Sequence, residues 1–242
     1  KVKSPCIIAG IELFEKIFKY YDSKIEFEKL IDDGAFVNSN STPFIVKGNA
    51  KSILATERLV LNTMQRMSGI ATITNKLKKK INPFKTILLD TRKTTPNFRY
   101  PEKWAVKIGG GENHRMGLFD AIMIKDNHID FSNNLEDVLN KTHKYLNKIK
   151  TVKPNIIVEV RNLLELKKVL KFEWIDRLLL DNMSLSELED AIKLIDGKFQ
   201  TEASGQINEF NIIDVAKTGV NYISMGALTH SAPHIDLSLK AC

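Results

Sequence analysis

The side chains best able to do chemistry are concentrated between Thr91 and His128, where the chain reads TRKTTPNFRYPEKWAVKIGGGENHRMGLFDAIMIKDNH. Arg92, Lys93, Arg99, Lys103, Lys107, Arg115 and Lys125 stand there against Glu102, Glu112, Asp120 and Asp126. His114, His128 and the run Gly109-Gly110-Gly111 lie among them. Cations on short loops beside glycines suit small, multiply charged anions, because guanidinium forks and ammonium groups pair with carboxylate or phosphate. A charge cluster is more often a solvated face. Here the apolar runs Ile87-Leu88-Leu89 and Ala121-Ile122-Met123-Ile124 end in cations or cation-bearing loops, and a solvated face is not usually tied to the ends of buried strands. The stretch reads as an anion site.

The elements that must position these groups alternate. Strand-like apolar runs occur at Thr86–Leu89, Ala121–Ile124, Ile156–Val158, Leu178–Leu180, Phe199–Ala203 and Tyr222–Met225. Helical segments separate several of them, at Leu135–Ile149, Leu163–Leu170 and Phe210–Lys217, and Ser184 with Glu187 has capping-box spacing. Continuous apolar strands alternating with helices predict a parallel sheet with helices outside. Each strand ends in a group suited to a charged ligand: Asp90-Thr91-Arg92-Lys93, Lys125, Glu159, Asp181, Ser204-Gly205 and Gly226. In α/β barrels the loops after the strands converge on one mouth, so six such ends in succession favour a shared site. Before this region, Pro5–Ala9, Lys24–Ile31 and Phe44–Lys47 read as strands, and Lys51–Met67 as a helix with Ile53, Leu54, Leu61 and Met64 at core spacing.

The last two strand ends are the usual phosphate position in such barrels. Ser204-Gly205-Gln206 and Gly226-Ala227-Leu228 fit it, with His230 as a further donor, although either glycine alone would pass for a turn residue. Glu159 and Asp181 repel anions, so they must serve ribose hydroxyls, Mg²⁺ or a developing cation.

Composition bounds the alternatives. The 242 residues are 43% hydrophobic and 27% charged, an ordinary globular balance, with a net charge of +7. Much of that excess lies in runs such as Lys76-Leu77-Lys78-Lys79-Lys80, and no nucleic-acid signature accompanies it. Cys6 and Cys242 form no CxxC pair and imply neither a disulfide framework nor a nucleophile, which suits a reducing cytoplasm. No apolar stretch reaches membrane-spanning length.

TRKTTP, EKWAVKIGGGENHRMGL and IKDNH, followed in order by LLLDN, EASG and SMGALTHSAP, closely resemble the signature of the quinolinate phosphoribosyltransferase family (nicotinate-nucleotide pyrophosphorylase, carboxylating). The resemblance spans nearly the whole chain. It implies an incomplete, open α/β barrel over residues 61–230 and a smaller N-terminal α/β sandwich lobe over 1–60, joined by 231–242. Against the family the amino end is expected to be short. The implied reaction moves the phosphoribosyl group of phosphoribosyl pyrophosphate (PRPP) to quinolinate, giving nicotinate mononucleotide, pyrophosphate and CO₂. By resemblance, Thr91, Arg92, His114, Arg115 and Lys125 hold quinolinate. Ser204, Gly205, Gln206, Gly226, Ala227 and His230 hold the 5-phosphate. Lys93 and Lys125 lie near the pyrophosphate, and Glu159 and Asp181 serve the ribose and Mg²⁺. Lys93, Lys125, Glu159 and Asp181 form the implied catalytic set, and Arg58 reaches the partner's substrate in a homodimer or a higher assembly. Asn97 and Gln206 depart from the family, which usually has small residues there; asparagine tolerates the positive φ that a turn at 97 would need. A nicotinate-specific or molybdenum-transport-associated enzyme on the same barrel is the nearest rival. A non-catalytic phosphosugar- or nucleic-acid-binding protein is the rival from another class.

Overall fold

The computed structural model describes residues 1–132, 134–149 and 153–241, so the cysteine at position 242 lies outside the described residues. The elements are, in order, β1 (Cys6–Ile7), α1 (Ile11–Tyr21), β2 (Glu26–Lys29), β3 (Phe36–Val37), β4 (Phe44–Lys47) and α2 (Ala50–Ile81). Then come β5 (Ile87–Leu89), α3 (Arg99–Ile108), β6 (Ala121–Ile124), α4 (Asp126–Asp130), α5 (Leu135–Leu146), β7 (Asn155–Val160) and α6 (Leu163–Val169). The chain closes with β8 (Arg177–Asp181), α7 (Leu185–Ile195), β9 (Gln200–Ser204), α8 (Ile212–Lys217), β10 (Tyr222–Ser224) and α9 (Ala227–His230). Tertiary contact groups them into two compact units. One comprises Lys1–Lys79, Lys93–Asn113 and Gly226–Cys242; the other comprises Lys80–Arg92 and His114–Met225.

The second unit is built on a six-stranded parallel sheet in the order β5-β10-β9-β8-β7-β6. Each expected apolar run supplies one strand, and β5 and β6 stand at opposite edges, so the parallel α/β sheet is open as anticipated. Ile156, Val158, Leu178 and Leu180 are fully buried, which a sheet covered on both faces requires. Parallel pairing needs long crossovers, and helices provide them. Their starts are written locally: Asn134 accepts from Asp137 N and Asn162 from Glu165 N, each at 2.9 Å. The Ser184–Glu187 capping box is also present, with Ser184 N donating to Glu187 Oε2 at 2.9 Å. Register then decides which side chains share a face. Glu159 lies opposite Leu179, Leu179 opposite Glu202, and Asp181 opposite Ser204. With a two-residue period, Arg177, Leu179 and Asp181 therefore share a face with Glu159, Glu202 and Ser204.

The first unit packs β1–β3 and β2–β4, both antiparallel pairs, with α1 and α2 around Phe14, Phe18, Ile8, Val60 and Met64. Phe27 stacks on Phe44 with ring centroids 4.9 Å apart. The C-terminal segment lies in the same core: Leu237 bridges Val2, and Ile235 N donates to Gln65 O at 3.1 Å. α2 runs 14 residues past the expected end at Met67. Gly69 lies within α2, and a Cβ there would come within 1.8 Å of Pro233 O, so the glycine admits the C-terminal segment against the helix. Leu61 and Met64 are buried as expected, whereas Leu54 is exposed, and Thr56 and Val60 complete the buried face.

The largest correction falls in the charged stretch. Residues read as loop include the ten-residue helix α3, whose Pro101 sits in the first turn, where no intrahelical N–H bond is lost. Glu102 and Lys103 are fully buried on it rather than displayed on a loop. The strand read over Lys24–Ile31 narrows to β2, and the helix read over Phe210–Lys217 begins at Ile212.

Candidate active site

In the second unit, functional groups gather where the strands end. Lys125, directly after β6, places Nζ 3.5 Å from Glu159 Oε2 on the neighbouring strand β7. Glu159 is buried, which pushes its carboxyl above the usual glutamate range. Lys125 opposes that shift, while Asp181 and Asp126 add to it. Two carboxylates on adjacent strands thus repel one another beside one lysine. Asp181 Oδ2 accepts a hydrogen bond from Asn182 Nδ2 at 2.6 Å, which fixes its rotamer. Asn182 N donates to Ser204 O at 2.9 Å, and Gln206 Nε2 reaches Asn182 Oδ1 at 3.5 Å. A Cβ on Gly205 would lie 2.2 Å from that same Oδ1. Gly205 (φ +88°) and Gln206 (φ +52°) are both left-handed, an arrangement costly for glutamine and concentrated at functional turns. Asn97 likewise has φ +59°, as its chemistry allowed.

The sheet interior below this mouth is polar. Glu202, fully buried, accepts from Arg177 Nη1 at 3.0 Å, and Arg177 stacks 3.7 Å above the Tyr222 ring. His114 Nε2 lies 3.3 Å from Glu202 Oε2, within ion-pair distance but not aligned as a hydrogen bond. Burial alone would raise the Glu202 carboxyl; His114, Ser224 and Arg177 outweigh it and hold the group below the usual range. His114 is pinned on its other side too. Its Nδ1 accepts from Arg115 N at 2.7 Å, and its own N–H donates to Asp90 Oδ1 at 2.8 Å. The ring is therefore a brace for the Arg115 backbone. Arg115 Nη1 donates to Ala121 O at 3.1 Å, and burial followed by the charge of Arg92 weakens the Arg115 guanidinium's hold on its proton. Two guanidiniums in one unit are close enough to repel.

A separate grouping occupies the first unit. A Cβ on Gly226 would lie 2.9 Å from Lys93 Cδ and 3.2 Å from His230 Nε2, so this glycine admits both cation-bearing side chains. Ala227 opens α9 directly after it. Thr229 Oγ1 donates to Lys93 O at 2.8 Å. Thr91 and Arg92 precede Lys93 but belong to the second unit and are half-buried. Arg58 is exposed on α2, two helical turns before Arg66, and outside this grouping.

Sequence reasoning missed Glu202, Arg177, Asn182, Arg66 and Glu102. Glu202 carried a signal, as an acid inside the expected strand Phe199–Ala203. Asn182 stood beside a singled-out aspartate. Arg66 and Glu102 carried none, because their meaning lies in one another: Arg66 Nε donates to Glu102 Oε1 at 2.9 Å across 36 residues.

Residues 1–68 match the model of the quinolinate phosphoribosyl transferase N-terminal domain, and residues 70–240 that of the C-terminal domain. A quinolinate phosphoribosyltransferase (decarboxylating) of Nicotiana tabacum is 44% identical over 252 residues, covering 98% of this chain and 71% of the relative. The crystal structure of the nicotinate-nucleotide pyrophosphorylase from Francisella tularensis superposes with a TM-score of 0.90 at 41% identity, over 98% of this chain and 82% of that one. NadC from Streptococcus pyogenes gives a TM-score of 0.91 at 36% identity, over 99% and 83%. Matched in order by both domains of one family, the chain belongs to the quinolinate phosphoribosyltransferase family.

Proposed function

We propose that the protein transfers the phosphoribosyl group of PRPP to quinolinate with decarboxylation, a step in making the NAD ring system. Family membership supports the reaction. The observation that carries the substrate is the pairing of two half-buried arginines, Arg92 and Arg115, in one unit, a set of cations suited to a ligand with two adjacent carboxylates. Lys125 and Thr91 complete that end of the site, with His114 holding Arg115 in place. Family membership makes Lys93, Gly226, Ala227 and His230, together with Ser204, Gly205 and Gln206, the candidate ligands of the phosphate oxygens.

Held in line, the pyridine nitrogen attacks ribose C1 as the C1–oxygen bond breaks, and pyrophosphate leaves with the bonding electrons. Glu159 and Asp181 stabilise the positive charge that develops on the ribose. The ring nitrogen is then cationic, so the 2-carboxylate departs as CO₂, leaving its electron pair at C2 to be protonated. No side chain forms a covalent bond. Among the described residues no group of three or more His, Cys, Asp or Glu could hold a metal alone. The Glu159–Asp181 pair fits Mg²⁺, which takes one or two carboxylates together with substrate phosphates. There it would neutralise the departing pyrophosphate. Arg58 acts on a partner subunit's quinolinate in a homodimer. Among the described residues no helix is long and apolar enough to cross a membrane, and a cytoplasmic location is part of the proposal.

The test supplies Mg²⁺, PRPP and ring-labelled quinolinate, with nicotinate in parallel. Nicotinate mononucleotide from quinolinate alone is expected. Product from nicotinate alone would overturn the diacid assignment and favour the nicotinate-specific reading.

A further inference from the structure

We infer that Arg66, Glu102 and Thr229 are positioning residues that set Lys93 for its phosphate ligand. The inference rests on the reading of Lys93 as a PRPP-binding cation.

A closed circuit of hydrogen bonds surrounds the Lys93 backbone, entirely within the first unit. Thr229 Oγ1 donates to Lys93 O at 2.8 Å. The Thr229 carbonyl accepts from Arg66 Nη2, and Arg66 Nη1 donates to Ala232 O at 3.0 Å. The third nitrogen, Nε, donates to Glu102 Oε1 at 2.9 Å. Glu102 then closes the loop two residues past Lys93, accepting from Thr95 N at 3.0 Å and Thr95 Oγ1 at 2.8 Å. Arg66 thus spends all three nitrogens on two separate segments, α3 and the Thr229–Ala232 stretch. Glu102 is fully buried and both its oxygens are engaged.

Burying this pair costs desolvation, and a well-packed apolar pair is often as stable or more so. Stability alone therefore does not account for an arginine that grips two distant chain segments. Geometry does. The circuit fixes the backbone from the Lys93 carbonyl to Thr95 N and ties it to α9, which carries His230 against the bare Cα of Gly226. Without it, Lys93 keeps its charge but loses its aim, and a misplacement near 1 Å can cost about a hundredfold in rate.

Two independent breaks test the circuit. Thr229→Val removes the hydroxyl at nearly constant shape, and Thr229→Ser keeps it. Glu102→Gln retains size but sets an amide against the donors of Arg66 and Thr95. Dissociation constants for PRPP, for inorganic pyrophosphate and for quinolinate are measured separately, with kcat and Tm. Thr229→Val and Glu102→Gln are expected to weaken PRPP and pyrophosphate about tenfold or more, comparable to losing one charged hydrogen bond. Both also lower kcat and leave quinolinate within about twofold, since Arg92 and Arg115 belong to the other unit. Thr229→Ser restores PRPP affinity. Unchanged PRPP affinity in folded Thr229→Val would overturn the inference. Equal weakening of both substrates, tracking Tm, would do the same and leave a structural role only. Wild type and Lys93→Ala run alongside. If Lys93→Ala loses PRPP and Thr229→Val does not, the positioning role alone fails. If wild type binds no PRPP, the functional reading beneath it fails.

Discussion

Arg115 is the residue on which substrate choice turns. Its guanidinium is partly buried, which together with the charge of Arg92 lowers its pKa, while Asp120 opposes the shift. A single carboxylate can bridge one guanidinium; a diacid can serve both. Arg115→Ala should therefore weaken quinolinate by about 1.5–3 kcal/mol, roughly 10- to 150-fold, the range for a hydrogen bond to a charged group. PRPP affinity should change far less. Isothermal titration with each substrate alone separates the two, and equal losses would reject the assignment. His114, read from sequence as a direct ligand, spends Nδ1 on the Arg115 N–H and turns Nε2 toward Glu202. Its neighbours in sequence suggested binding, but the burial of Glu202 beneath it was not legible.

At the scale of elements, β8 and β9 carry a charged pair inside the sheet, where apolar side chains would be the default. The sign of its pH dependence follows from the depressed Glu202 carboxyl. A glutamate with a lowered folded-state pKa adds stability above the unfolded value, about 4.3, and loses it as pH falls through the folded value. Arg177→Met removes one of the groups that lowers it. Near pH 7 the variant should unfold about 3 kcal/mol more easily, as expected when one partner of a buried pair is deleted. The gap should shrink below about pH 4, where Glu202 is protonated in the unfolded variant and increasingly in the folded one. Urea unfolding at both pH values decides it, and a gap independent of pH would place the Arg177 effect in packing over Tyr222. The element that sequence missed, α3, was hidden because Pro96, Asn97 and Pro101 read as turn residues. Pro101 falls in the first helical turn, the one place where a helix accepts it.

For the whole molecule, the open question is how many copies build one site. Arg58 is exposed on α2, consistent with a role completed by a second chain. On the proposed homodimer, the Arg58→Ala and Lys125→Ala variants should each be nearly inactive. After mixed refolding, half of the dimers are hybrids, and one of their two sites draws on intact contributors from both chains. About a quarter of wild-type activity should return. Hybrid dimers that stay inactive would mean that Arg58 serves its own subunit or none.

Local chemistry was enough to place the six parallel strands, the Ser184 cap and the polar groups that end each strand, because periodicity and capping are written within a few residues. The motifs around Arg92, His114, Lys125, Glu159, Asp181, Gly205 and Gly226 likewise stood in the sequence in family order. Only the tertiary structure decided that Arg66 meets Glu102 across 36 residues and that Arg177 meets Glu202 across 25. It also decided that Gly69 is helical and that Asn182 fills the space beside Gly205. The reason is physical. A buried charge is tolerated only where a partner arrives from elsewhere in the chain, and strand register and helix packing, not local spacing, bring that partner.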